Sequence, residues 1–235
     1  MGEFGQAFAA AGRMLVGLDP ELLEIVSLSL RVSLTAVAVS ALVALPVGAL
    51  IAIARFPGRG AAVSIVNALM GLPPVVVGLV VYLMLSRAGP LGELGLLFTP
   101  TAMVIAQAIL VTPIIMALSR QTVADLAEEY GDTPAALGVS RPGQITLLLW
   151  EGRFRLITAV LAGFGRAVAE VGAVIIVGGN INHYTRVMTT AIALETSKGQ
   201  LGLALGLGAI LLAITLAINA FAVGIGHVAR RRYGG

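Results

Sequence analysis

The chain has 235 residues and no cysteine. That excludes disulfides, iron–sulfur clusters and thiolate metal sites, while leaving the compartment open. Lysine occurs once, at Lys198 in Ser197-Lys198-Gly199. A phosphate-cradling loop needs Gly-Lys followed by Ser or Thr, so this chain does not supply its own ATPase site. Histidine occurs twice, at His183 and His227, and neither H-E-x-x-H nor G-x-S-x-G is present. The zinc-protease and serine-hydrolase signatures are therefore missing. Charge is also scarce, at 11% of residues against about 25% in soluble domains.

What fills the chain instead is apolar, 58% of it, and gathered in blocks. Leu34–Ala54, Ala61–Ser86, Thr101–Ser119 and Leu201–Gly226 carry no charged residue. Leu156–Ile181 is equally apolar except for Arg166 and Glu170. Each block is long enough to cross a hydrocarbon core, which takes about 20 residues. Lipid cannot satisfy exposed backbone groups, so each block is expected to be helical. The fold class is an all-α membrane protein with about five transmembrane helices. No Lys or Arg precedes Arg13, so the basic region of a signal peptide is missing. Residues 3–16 suit a short interfacial helix. Asp19-Pro20-Glu21 reads as a helix start, with a capping acid, a first-turn proline and a first-turn acid.

Arginines set the orientation. Arg55, Arg59, Arg120, Arg141, Arg153, Arg155 and Arg230 to Arg232 fall on one side of a five-span chain. Arg13, Arg87, Arg186 and Lys198 fall on the other, diluted by Glu3, Asp19, Glu21, Glu24, Glu93 and Glu195. The Arg-rich side is the cytoplasmic one. The N-terminus is then outside and the C-terminus inside. The two histidines fall near opposite faces and cannot share a metal. The net charge of +3 reflects this topology and gives no sign of nucleic-acid binding.

Between the third and fourth apolar blocks lies a polar insert, Asp132 to Trp150. Its spacing predicts one short helix from Asp132 to Gly138 and a second from Ser140. Glycine suits a helix C-terminus because it accepts a left-handed backbone. Ser140 suits an N-cap, with Pro142 in the first turn. A cytoplasmic helix–Gly–helix fits a docking knob for a soluble partner. It also fits a plain connector between two spans.

Pro46, Pro73, Pro74 and Pro113 fall at or near membrane depth, where a proline removes a backbone hydrogen bond and is expected to kink its helix. Small residues such as Gly202 and Gly206 allow close helix packing. Arg166 and Glu170 stand four apart, on one face of an expected helix. A charge at that depth costs at least ~2.5 kcal/mol unless paired or hydrated. Two readings follow, a self-neutralising pair or a pair lining a path. Gly178-Gly179-Asn180 is expected to break the helix. Thr185, Arg186, Thr189 and Thr190 follow it. Backbone N–H, hydroxyl and guanidinium groups all donate to oxyanions, so this segment suits an oxyanion gate as well as an ordinary outer loop.

Two stretches resemble known permeases. The insert is similar to the coupling motif of ABC importer permeases, Glu-Ala-Ala, three residues, then Gly. Gly138 matches, Asp132 stands for the Glu, and Thr133-Pro134 stands for the Ala pair. The segment Gly163 to Ile181, with Thr185 to Ile192 and Glu195 to Gly199, resembles the permeases of tungstate-type ABC importers. Leu72 to Leu79 and Gly89 to Gly92 match that group too, and the resemblance runs from about Val26 to Phe221. Molybdate permeases share the layout with a different phrase in place of Arg166 to Ala173.

The resemblance implies a type I importer permease bundle acting as a homodimer in a prokaryotic inner membrane. Residues 1–25 would be an extracytoplasmic segment, 26–222 the transmembrane domain with a coupling insert at about 120–155, and 223–235 a basic tail. Asp132, Thr133, Pro134, Ala135, Ala136, Leu137, Gly138 and Ser140 would couple to two ATPase subunits, which bind the ATP and Mg; this chain would bind no cofactor. An extracytoplasmic binding protein would deliver the oxyanion. Arg166, Glu170, Gly178, Gly179, Asn180, Thr185, Arg186, Thr189 and Thr190 would form the path and gate. Tungstate is the expected cargo, with molybdate or sulfate as alternatives. An ATPase-independent channel or secondary transporter is the more remote reading, and it predicts an internal repeat or a midplane coupling acid.

Overall fold

Asp19 opens the first long helix as an N-cap, its Oδ1 accepting from the backbone N–H of Glu21 at 2.9 Å and of Leu22 at 3.4 Å. The computed structural model describes residues 9, 12, 13, 16, 17, 19–131 and 133–233; the side chains of Pro134, Ala135 and residues 225–233 lie outside that description. Of the expected interfacial segment 3–16, Ala9, Gly12, Arg13 and Val16 are described and helical.

The described residues form helices and turns without a strand. In order they are α1 (Pro20–Ile53), α2 (Arg59–Leu69), α3 (Pro74–Leu85), a 3-10 turn (Gly92–Leu94), α4 (Pro100–Tyr130), α5 (Thr133–Ala136), α6 (Arg141–Glu151), α7 (Arg153–Val168), α8 (Gly172–Gly178), α9 (Met188–Ser197) and α10 (Leu201–Tyr233). Three are long and apolar enough to cross a membrane unaided: α1, α4 and α10 through Gly224. The pairs α2 with α3 and α7 with α8 are apolar enough together but bent by 97° and 59°, and with each pair taken as one broken span the candidates number up to five.

Two of the five apolar blocks therefore differ from the single helices expected of them. Ala61–Ser86 stops at Leu69 and restarts at Pro74. Pro73 and Pro74 bring no N–H, and a residue before proline leaves the helical region, which ends the first half. Leu156–Ile181 stops at Val168 and restarts at Gly172, although it holds no proline. Arg166 and Glu170 consequently do not lie on one continuous helix. Pro46 and Pro113, by contrast, sit inside unbroken helices.

The chain forms two compact units. One comprises 1–36, 73–107 and 166–217, and the other 37–72, 108–165 and 218–235. In the first, α3 lies so close to α8 that a Cβ on Gly78 would meet Ala173 Cα at 2.8 Å. Phe98 donates its N–H to Val177 O at 2.9 Å, tying the approach to α4 onto α8. In the second, α1 and α4 exchange serine bonds, Ser40 Oγ to Ala108 O at 3.2 Å and Ser119 Oγ to Leu45 O at 2.9 Å. Gly48 permits this approach, since a Cβ there would stand 2.6 Å from Met116 O. Small residues and hydroxyls are what draw helices together where water does not.

Candidate functional site

The singled-out residues form two sets, one in each compact unit. The first is the insert. α5 holds Thr133 to Ala136, and Leu137 returns its N–H to Thr133 O at 3.1 Å. Gly138 follows with φ +73° and open space around its missing Cβ. The demand for glycine there is one of backbone handedness and not of room. Ser140 caps α6 as expected, its Oγ accepting from Gly143 N at 3.4 Å, and Gln144 Nε2 donates to Val139 O at 2.9 Å. Asp132 lies outside the described residues.

The insert is anchored through one face. Leu148 of α6 is buried with Ala49 and Ala52 of α1 and Val123 and Leu126 of α4. Elsewhere the insert exposes apolar side chains: Leu137 is 76% exposed and Trp150, two residues after Leu148, 65%. Arg153 stacks over Trp150 and Phe154, its guanidinium carbon 4.9 and 4.8 Å from the ring centres. Beside α6 lies a pocket of about 360 Å³ lined by Arg55, Arg59, Glu128, Tyr130 and Gln144 among others. Arg59 also closes α1, donating from Nε to Ile51 O at 2.9 Å and from Nη2 to Ala52 O at 2.6 Å. An insert anchored through Leu148 and exposing other apolar groups can be held on one side and gripped on another.

The second set surrounds the break between α7 and α8. Breaking a helix in an apolar span frees backbone groups that need new partners. The structure supplies them from side chains. Gln107 of α4 donates Nε2 to Ala167 O at 3.0 Å. Thr189 of α9 donates Oγ1 to Glu170 O at 2.7 Å. The Glu170 carboxylate accepts the Ala173 N–H at 3.0 Å through Oε1, capping α8, and accepts Arg166 Nη1 through Oε2. Glu170 is buried while Arg166 is one-third exposed. The pair is thus met, and the acid also builds the break.

Beyond α8 the chain turns as its glycines suggest. Gly179 has φ +71° and Asn180 φ +49°. Thr185 Oγ1 donates to Gly178 O at 2.5 Å and accepts Ile181 N at 2.9 Å. Thr190 Oγ1 donates to Val187 O at 3.0 Å, and Asn180 Nδ2 donates to Thr190 O at 3.3 Å. The hydroxyl protons of Thr185, Thr189 and Thr190 are all committed to backbone carbonyls in this conformation. Arg186 reaches Glu21 at 3.7 Å, and His183 Nδ1 meets Glu24 Oε2 at 2.7 Å, both on the first turns of α1.

Sequence reasoning missed Gln107, Ser29 and Ser33. Ser29 Oγ accepts Met188 N at 2.8 Å and donates to Ile25 O at 2.6 Å. An amide inside an apolar block, and two serines one turn apart on α1, were the available signals. Glu195 was also passed over; it is buried and bonded to Lys198 Nζ at 3.0 Å. Among the described residues no group of three His, Cys, Asp or Glu could hold a metal ion.

No family model matches the chain. Individual relatives do. It is 44% identical over 204 residues, 85% of this chain and 88% of the relative, to a probable anion ABC transporter permease protein of Haloferax volcanii. It is 43% identical over 215 residues, 92% of this chain and 94% of the relative, to the tungstate uptake system permease protein TupB of Peptoclostridium acidaminophilum. The TupB of Campylobacter jejuni is 40% identical over 155 residues, covering 66% of this chain and 65% of that one. A sulfate permease of Escherichia coli and a molybdenum permease of Azotobacter vinelandii match at 27% and 29%.

Proposed function

The chain belongs to the permease family of anion ABC transporters, and from that premise we propose that it is the membrane-spanning subunit of a tungstate importer. One observation carries the cargo: the match to a tungstate permease spans 92% of this chain at 43% identity, while the sulfate and molybdenum relatives stay below 30%. The protein sits in the cell membrane with several spans. Its N-terminus is outside and its C-terminus inside, because the Arg-rich loops mark the cytoplasmic side.

Transport proceeds by alternating access in a homodimer. Two ATPase subunits hold ATP and Mg and grip the insert, from Asp132 through Ser140, with the exposed Leu137 and Trp150 offering apolar contact. The buried contact of Leu148 with α1 and α4 passes their motion into the membrane helices. A binding protein delivers the anion to the outer mouth, where Gly178, Gly179, Asn180, Thr185, Arg186, Thr189 and Thr190 frame the gate and Arg166 and Glu170 stand beneath it. The committed hydroxyls favour a frame that holds the gate's shape; Arg186 contributes its fixed positive charge. The permease carries out no covalent chemistry.

The test is uptake by proteoliposomes holding this chain with its cognate ATPase and binding protein. ATP-dependent accumulation of tungstate ahead of molybdate and sulfate is expected, matched by calorimetry on the binding protein. Preferred molybdate or sulfate uptake would reassign the cargo. Uptake without the ATPase would reject the importer and favour a channel or secondary transporter.

A further inference from the structure

Ser29 and Ser33 of α1, Gln107 of α4, Glu170 at the break and Thr189 of α9 help enclose a cavity of about 10 Å³. Gln107 is 3% exposed. Its Nε2 is spent on Ala167 O, yet its Oε1 meets no partner among the described residues. A buried amide oxygen left unpaired is costly, and at membrane depth no bulk water reaches it. A single water needs about 10–15 Å³ of such space and two to four polar partners. The cavity reaches the lower end of that volume, is lined by several polar side chains, and is far too small for an oxyanion or a hydrated ion.

We propose that this cavity holds one ordered water. The hydrogen-bond inventory closes around it. Thr189 has committed its proton to Glu170 O, and its oxygen keeps lone pairs. Ser29 has likewise committed its proton to Ile25 O. Ser33, 2% exposed, has its hydroxyl beside the same space. The water takes the Ser33 proton and gives its own two to Gln107 Oε1 and to Thr189 Oγ1. It thereby ties α1, α4 and α9 together at the break between α7 and α8. A bare cation of similar size is disfavoured. Arg166 already neutralises Glu170, so a cation would add an uncompensated charge at membrane depth.

The experiment uses the permease assembled with its ATPase in lipid nanodiscs, imaged at a resolution that shows waters. The expected result is one peak 2.7–3.1 Å from Gln107 Oε1, the range of an ordinary hydrogen bond. The peak should vanish in Gln107→Met. A second measurement does not depend on the map. Ser33→Ala should lower the Tm of the assembled transporter by about 2–4 °C, the shift expected on losing one bond in a chain of this size. In a dry cavity the same change removes only a poorly served buried hydroxyl, and Tm would hold or rise. An empty map with unchanged Tm overturns the proposal. So does a peak at about 2.4 Å from several oxygens, or a Tm that falls when sodium is replaced by choline, since both mark a bound cation.

Discussion

Removing Arg166 should harm this protein more than removing Glu170, although the two form one pair. Glu170 is 4% exposed and Arg166 34%. Arg166→Ala strands a buried carboxylate with the Ala173 N–H as its remaining side-chain partner. Breaking a buried pair this way costs about 3–5 kcal/mol. Glu170→Ala strands an arginine that can turn toward water. Its cost is mainly the lost cap on Ala173, about 1–2 kcal/mol. The double variant loses that cap but leaves no orphaned charge, so it too should cost about 1–2 kcal/mol. The coupling between the sites is then about 3–5 kcal/mol in magnitude. At 2–4 °C per kcal/mol for a chain of this length, Arg166→Ala should lower Tm by about 6–20 °C, and each of the others by about 2–8 °C. Thermal unfolding of the detergent-purified permease, followed by Trp150 fluorescence, reads this directly. Losses that add in the double variant, or Arg166→Ala no worse than Glu170→Ala, would refute the reasoning. Uptake separates structure from transport. If the pair also serves the path, the recovered double variant should still import poorly, and wild-type uptake would confine the pair to the fold.

Gly138→Val should insert normally yet lose ATPase on co-purification and most of its uptake, because a branched side chain strains a backbone at φ +73° by about 1–2 kcal/mol; full ATPase retention with normal uptake would reduce the insert to a connector. Gly78→Ala should destabilise by about 1–3 kcal/mol, since the new Cβ meets the Ala173 backbone and not a movable side chain. Gly208→Ala is its control: with open space around the position it should be neutral or gain up to about 1 kcal/mol of helix propensity, read in the same thermal assay. Reporter fusions at Pro57 and Pro142 should read cytoplasmic, and those at Gly92 and His183 external; an external Pro142 would place the insert where no ATPase exists.

Local chemistry was readable wherever the answer lay within a few residues. Asp19 and Ser140 cap the helices they were expected to cap, and Gly179 and Asn180 end α8 with left-handed backbones. The five apolar blocks followed from length alone, and three of them are single helices long enough to span. The break at Ala169–Val171 was not readable. Nothing there resembles a breaker, and an Arg and a Glu four apart read as continuous helix. The break is held by Gln107, 60 residues before Ala167, and by Thr189, 19 residues after Glu170. Window-based reasoning cannot see partners at those separations. Gln107 and Ser33 were hidden for the same reason, since their meaning depends on a cavity that four segments assemble.

Pro113 gives α4 a mechanical character. From Ile114 the helix runs without another proline to Tyr130, a rod of about 25 Å at 1.5 Å per residue. Its base carries the weak point that a missing backbone hydrogen bond creates, and its shaft is held to α1 by Ser119 and Val123. A flexure of about 10° at the base swings the tip by about 4 Å, close to three residues of helical rise. The tip leads directly into the insert. A small angular adjustment at the proline is therefore amplified into a stroke at the far end, and force applied to the insert returns along the same lever with its travel reduced and its leverage increased.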